Sequence, residues 1–204
     1  MHWDRLFEDL EGQLASEWEA ERAALDAESE RLRISRLELR SRLRMLCAVD
    51  SPVTIELAGG QRLPVRLRAL GADWIAAESS SDAESRAGRT MSVIPLHAIS
   101  GMTMDHGMLL ASLDPETAAE TSLRERMTFG FVLRDLARRR VPVRIALQGG
   151  DEVHGTIDRA GADHLDLAVH DAGEVRRAEA VRGFRIVPFS ALLRLRTAGV
   201  AQLP

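Results

Sequence analysis

The chain has 204 residues, enough for one ordinary domain or two small ones, and its hydrophobic fraction of 45% suits a packed core. A net charge of −4 excludes a protein that is basic overall, so any contact with nucleic acid has to come from local patches. A single cysteine, Cys47, excludes an internal disulfide framework and suits a reducing cytoplasm. It falls on an apolar helix face, where a buried thiol is the expected reading. Aromatic residues make up 4% and Tyr is absent, so Leu, Val, Ile and Ala must fill the core. All 27 basic residues are Arg, each a planar fork suited to phosphate or carboxylate. The start Met1-His2-Trp3-Asp4-Arg5 lacks a signal-peptide pattern, and the most apolar stretch, Met108 to Leu113, is too short to cross a membrane. The expectation is a soluble cytoplasmic protein with no membrane partner.

Residues 3–47 read as one long helix, with no Pro and a single Gly, Gly12. Apolar residues recur at Phe7, Leu10, Leu14 and Trp18, and then at Leu25, Leu32, Leu39, Leu43 and Leu46. The steps of seven from Leu25 to Leu46 describe a coiled-coil seam or a helix lying along a core. Glu21 and Glu28 interrupt it, so the expected product is an imperfect coiled coil or an exposed amphipathic helix. Residues 4–30 hold ten acids against Arg5 and Arg22, whereas residues 31–44 hold six Arg against Glu38. That order complements the helix dipole.

The period then changes to two. Val53, Ile55 and Leu57 lead into Gly59-Gly60, and Leu63, Val65 and Leu67 lead into Gly71-Ala72-Asp73. Trp74 to Ala77 is a third strand, residues 79–90 form a polar loop, and Met91 to Leu96 and Ala98 to Met104 are two more strands broken near Pro95. Five short strands with tight turns predict a small barrel over residues 48–105. A second helix is expected from about Pro115 to Arg140, connecting through 114–140, with Asp114-Pro115-Glu116 as its start signal. Strands return with Val143, Ile145 and Leu147 before Gly149-Gly150, then Val153, Gly155 and Ile157 before Gly161-Ala162-Asp163. His164 to Val169, a polar loop at 170–182, Phe184 to Val187 with Pro188, and Ala191 to Leu195 complete a second barrel over 141–197, and 198–204 is a tail.

The two halves superpose by subtraction. Val53 to Val143, Gly59 to Gly149, Gly71 to Gly161 and Asp73 to Asp163 are all steps of 90. After the polar loop the step becomes 93, as in Pro95 to Pro188 and Ala98 to Ala191. The helix ends also align, Leu43 with Leu133 and Leu46 with Leu136. Each unit is a helix followed by five strands, and this internal repeat is the strongest signal in the chain.

These residues resemble the Sm-like superfamily, including its bacterial Hfq-type members. The second copy matches through Val143, Ile145, Leu147, Gly150, Val153, Gly155 and Ile157; the first through Val53, Thr54, Ile55, Leu57, Gly60, Leu63 and Leu67. Val65 stands where the family has its second Gly, a residue that lets a strand bend. His97-Ala98-Ile99-Ser100 is similar to the His-Ala-Ile-Ser run of the Hfq-type members. The likeness covers roughly 150 residues with both helices counted. It implies two tandem SH3-like five-stranded barrels, each preceded by a helix, and single-stranded RNA bound on a ring; three fused chains would make a six-barrel ring.

Carried over residue by residue, the resemblance places only His97 in an RNA site. The Asn of the family's first turn, the Arg-Gly of its second and the Lys before the His are absent, Leu96 standing in the last place. Trp74, His164 and Phe189 sit at candidate rims where a base could stack, although filling the barrel ends is the favoured reading for Trp74 and Phe189. Arg33, Arg36, Arg40 and Arg44 share one helix face, and Arg138, Arg139, Arg140 and Arg144 cluster before the second barrel; these suit phosphate, or a solvated face paired with acids. Zinc spacing with Cys is absent, and His164, Asp166 and His170 could meet at a metal only by accident of folding, so no metal site is expected. With no phosphate loop, dinucleotide fingerprint or nucleophile motif, the chain reads as a non-enzyme without cofactor. Two functions follow: an RNA-associated Sm-like protein, or a structural adaptor that binds protein partners and oligomerises through its barrels and N-terminal helix.

Overall fold

The computed structural model describes residues 2–79, 91–114, 123–173 and 176–197. The side chains of Phe7 and Leu10, the loop from 80 to 90, the start signal at 115–116 and the tail at 198–204 lie outside the described residues. Two compact units divide the chain, Met1–Ser41 and Arg42–Pro204. Helix α1 spans His2–Ser35 and α2 spans Leu39–Val49, so the expected single helix is broken at 36–38. There the bonds tighten to i→i−3: Arg36 N donates to Arg33 O, Leu37 N to Ile34 O, and Ser41 N to Glu38 O. Ser35 Oγ donates to Leu32 O, which competes with the helical ladder just before the break. On α1, Leu14, Trp18, Leu25 and Leu32 are exposed, and Arg31 with Glu28 and Arg33 with Glu30 form surface ion pairs.

The second unit is mainly β. Its strands are β1 Pro52–Leu57, β2 Arg62–Leu70, β3 Trp74–Ser79, β4 Met91–Pro95 and β5 Ile99–Thr103, then β6 Pro142–Leu147, β7 Glu152–Ala160, β8 His164–Val169, β9 Gly183–Pro188 and β10 Leu192–Thr197. They form one antiparallel ten-stranded sheet in the order β5-β1-β2-β3-β4-β10-β6-β7-β8-β9. Each copy's fifth strand pairs with its first, but the fifth strand does not close on the fourth of its own copy. The sheet is therefore open, with β5 and β9 at its ends.

The repeat extends to the backbone. Asp50 and Arg140, equivalent positions after the helices, both adopt φ 54°. Gly59, Gly60, Gly149 and Gly150 all take positive φ in the hairpins, a region where L side chains are strained. A bulge interrupts β2–β3 between Leu67 and Ala69, and its twin interrupts β7–β8 between Ile157 and Arg159. Bulges bend and twist a strand, so both copies bend at the same place whether Val65 or Gly155 precedes it. Gly155 is still needed where it stands, because a Cβ there would lie 2.3 Å from Ala168 O.

Two helices differ from expectation. The connecting helix is shorter: a 3-10 turn at Leu123–Arg126 precedes α4, Phe129–Arg138 after α3, His106–Ala111. The chain cannot stay helical through Met127 because its carbonyl accepts from Ala72 N and from Trp74 Nε1, each at 2.8 Å. Thr128 then caps α4 by accepting from Phe131 N. The unexpected α3 takes up the apolar stretch after β5; Asp105 caps it, and Met108 is its buried anchor. Leu43 and Leu46 of α2 join Val53, Ile55, Leu57, Leu67 and Ile75 in the core of the first copy. The second copy's core holds Leu133 and Leu136 of α4 with Val143, Ile145 and Ile157, and it also takes in Ala69, Trp74, Ala76 and Val93 from the first copy.

Candidate functional site

The most built feature of the molecule is the seam where the copies meet. Strand β4 lies antiparallel to β10, with Val93 opposite Leu195 and Ser92 opposite Arg196. Around it the first copy grips the start of α4. Asp73 Oδ1 accepts from Phe129 N at 2.6 Å, which supplies a partner for one of the free N–H groups of the first helical turn. Trp74 is wholly buried, and its Nε1 donates to Met127 O. The indole lies against Gly71 so closely that a Cβ there would come within 2.1 Å of Nε1. His97 Nε2 donates to Leu192 O at 3.2 Å, a bond from the first copy to the second.

The residues expected at an RNA site occupy different places in the fold. The face of Trp74 is inside the core, and His97 serves the seam. Phe189 is half-buried and meets Phe129 edge-on, with centroids 5.8 Å apart. His164 is exposed and bonds Asp163 Oδ1 at 2.8 Å, a contact that holds the Asp163 carboxyl below its usual range. The arginines are occupied with carboxylates. Arg44 bonds the buried Glu125 through Nε and a terminal nitrogen, at 3.0 and 2.7 Å. Arg138 and Arg139 share Asp135, Arg140 pairs with Asp158, and Arg144 lies 3.8 Å from Glu152. Arg36 is exposed and Arg40 half-buried on the N-terminal segment.

His164, Asp166 and His170 also go separate ways. His170 is buried, with Nδ1 donating to Asp171 O at 3.1 Å and Nε2 bonded to Thr156 Oγ1 at 2.9 Å. His154, which the sequence left unassigned, stacks edge-on against His170 at 5.1 Å and donates from Nδ1 to His170 O. Desolvation leads the causes that lower the pKa of His154. Among the described residues, no group of three or more His, Cys, Asp or Glu is placed to hold a metal ion. Cys47 is half-buried against the first copy's core; burial, and then the Glu125 charge, push its thiol up to about 12, which suits an unreactive thiol.

Sequence reasoning missed the free end of the sheet. Phe184 and Ile186 of β9 are each 71% exposed. The signal was present in the repeat: the step of 93 aligns them with Met91 and Val93, which the seam covers. Among the described residues, no helix is long and apolar enough to cross a membrane. The chain matches no family model, no curated protein and no solved structure.

Proposed function

We propose that this chain is a non-enzymatic structural adaptor, a duplicated Sm-like module whose two barrel-like units and N-terminal helix bind other proteins. The observation that carries this reading is the exposed apolar stripe of α1. At about 100° per residue, Leu14, Trp18, Leu25 and Leu32 fall within an arc of about 40°. Trp18 is 67% exposed and Leu25 65%. A stripe of that kind on a helix otherwise covered in charge is the apolar half of a helix–helix or helix–groove contact. The internal pairing of the arginines and the burial of Trp74 support protein over RNA as the partner. The Sm-like part of the reading is supported by the helix-plus-five-strand unit, its glycine hairpins and its bulged second strand.

The test is affinity purification of the full chain from its native cells, with and without nuclease, beside a chain lacking residues 2–30. Protein partners should survive nuclease and be lost with the helix, and the eluted chain should carry the ultraviolet ratio of clean protein. Enrichment of RNA, or partner recovery that ignores removal of the helix, would overturn the reading.

A further inference from the structure

The charged residues that interrupt the stripe of α1 decide what fits it. Written as heptads, Glu11, Trp18, Leu25 and Leu32 share one core position, and Leu14, Glu21, Glu28 and Ser35 share the other. Two glutamates facing each other across such a contact repel where little water screens them. A parallel pairing in register would set Glu11, Glu21 and Glu28 each against its own twin. An antiparallel pairing over residues 11–35 sets Glu11 against Ser35, Leu14 against Leu32, Trp18 against Glu28 and Glu21 against Leu25. Every glutamate then meets Ser, Trp or Leu, and Leu meets Leu near both ends. Within α1, sliding by one heptad either sets Glu11 against Glu28 or leaves no layer in which two apolar residues meet. Beside the seam, Glu17 and Arg31 flank the same side of the stripe, and the antiparallel layers bring Glu17 of one helix next to Arg31 of the other. The Arg31 side chain is 78% exposed and lies 3.4 Å from Glu28, so its fork is open to a second carboxylate. Arg22 meets its own twin at the centre, on an exposed edge next to Glu21.

We propose that α1 is one half of an antiparallel two-helix coiled coil whose other half is α1 of a second copy, with Leu14 against the partner's Leu32 and Trp18 against the partner's Glu28. The occupant is argued from charge complementarity. Residues 11–21 carry four acids and no cation, and they lie against the partner's residues 25–35, which include Arg31 and Arg33. In the parallel pairing the same four acids would lie against four acids. A helix in water takes most of its stability from packing an apolar face, and a second copy supplies that packing for α1. The contact is isologous, so one surface serves both chains and the assembly closes at two copies. The inference deepens the adaptor reading and rests on it in one respect, that the stripe meets protein; it names that protein and leaves the sheet unit for other partners.

Cysteine pairing reads direction and register together. In a Cys47→Ser background, a chain with Leu14→Cys is mixed with a chain carrying Leu32→Cys and oxidised. The expected product is the mixed disulfide dimer, well above either chain linked to its own kind. Equal yield of a chain linked to its own kind would overturn the antiparallel direction, and equal yield from Leu14→Cys with Leu25→Cys would overturn the register. Native mass provides the second readout, with the parent expected at twice the 22.5 kDa of one chain. Leu25→Glu sets a second glutamate against the partner's Glu21 and should bring the particle down to one chain. The change lies on an exposed position of a unit separate from the sheet, so the urea midpoint of the sheet unit should hold. A parent already at the mass of one chain overturns the proposal, and so does a Leu25→Glu particle at the mass of the parent. A single-chain parent whose protein partners are still lost with the helix leaves the adaptor reading standing, whereas RNA enrichment with the mixed disulfide intact would sink the adaptor reading and keep the helix pair.

Discussion

In the first copy, Arg68 sits at the bulge and reaches Asp50 at 2.6 Å and Glu78 at 2.7 Å. In the second, Asp158 occupies the equivalent bulge and receives Arg140 at 3.1 Å and Arg176 at 2.6 Å. Asp50 and Arg140 are themselves equivalent and share the same left-handed backbone. The ion pair that ties the bulge to the end of the preceding helix has been kept while its sign has been reversed. What the fold requires there is a charge-assisted link, and either polarity satisfies it. Elsewhere the copies differ in substance. Trp74 is buried at the seam, while its equivalent His164 stands exposed at the free end. The copies share a backbone, and their contrast comes from what covers each fourth strand.

The sharpest way to break that contrast is to truncate both residues. Trp74→Ala should cost about 3–5 kcal/mol, the range for removing a large buried aromatic. It also takes away a donor from Met127 O. His164→Ala should stay within about 0.5 kcal/mol. Urea midpoints measure both, and equal shifts would mean that the seam does not distinguish the copies. Adding a methyl group makes the same comparison more gently. Gly71→Ala would drive a Cβ into the anchored Trp74 ring and should cost about 1–3 kcal/mol. At Gly161 the nearest atoms belong to the exposed His164 ring, 2.8 Å away, which can swing aside. Gly161→Ala should therefore shift the midpoint much less.

Much of this was legible from spacing alone. The steps of 90 and 93 located both five-stranded units, their hairpin glycines and the turn at Asp73 and Asp163, because a local pattern repeated in sequence needs no knowledge of what it packs against. Long-range bonds were beyond such reading. The pattern from Pro115 to Arg140 predicts an unbroken helix because nothing near Met127 signals that Trp74 and Ala72, more than fifty residues earlier, take its carbonyl. The seven-residue series was read as one seam, yet Leu46 lies in the first copy's core and Leu25 is exposed, so one spacing served two purposes. The spacing of the arginines suits phosphate or acids of the same helix; Arg138 and Arg139 do share Asp135 of their own helix, but the acids of Arg44 and Arg140, Glu125 and Asp158, come from distant segments that spacing does not reveal.

Reversing the bulge charge tests whether polarity is free. Arg68→Asp would set a third carboxylate beside Asp50 and Glu78 and should cost about 1–2 kcal/mol, since Glu78 is largely buried and the rest of the cluster is partly screened. Adding Asp50→Arg recreates the polarity of the second copy and should recover most of the loss in a double-mutant cycle. Failure to recover would show that the first copy depends on Arg68 for its shape as well as its charge.

The smallest expected effect comes from the pair of histidines found only in the second copy. The positions equivalent to His154 and Thr156 in the first copy are Pro64 and Arg66, so that copy has no counterpart. Desolvation is the leading cause that lowers the pKa of His154 in the folded chain, opposed by the bond to His170 O and reinforced by the His170 and Arg144 charges. Between that lowered value and the ordinary histidine value near 6.5, the unfolded chain binds a proton that the folded chain refuses. Stability should therefore fall as pH drops below about 6.5, and level off once the folded form also protonates. Above about 7.5 the ring is uncharged in both states and contributes no slope. His154→Gln should flatten the dependence of the urea midpoint between about pH 7.5 and 5.5 without moving its high-pH end far, because the side chain is only half-buried. A slope unchanged by that substitution would place the proton linkage elsewhere, and the second copy would then differ from the first in packing alone.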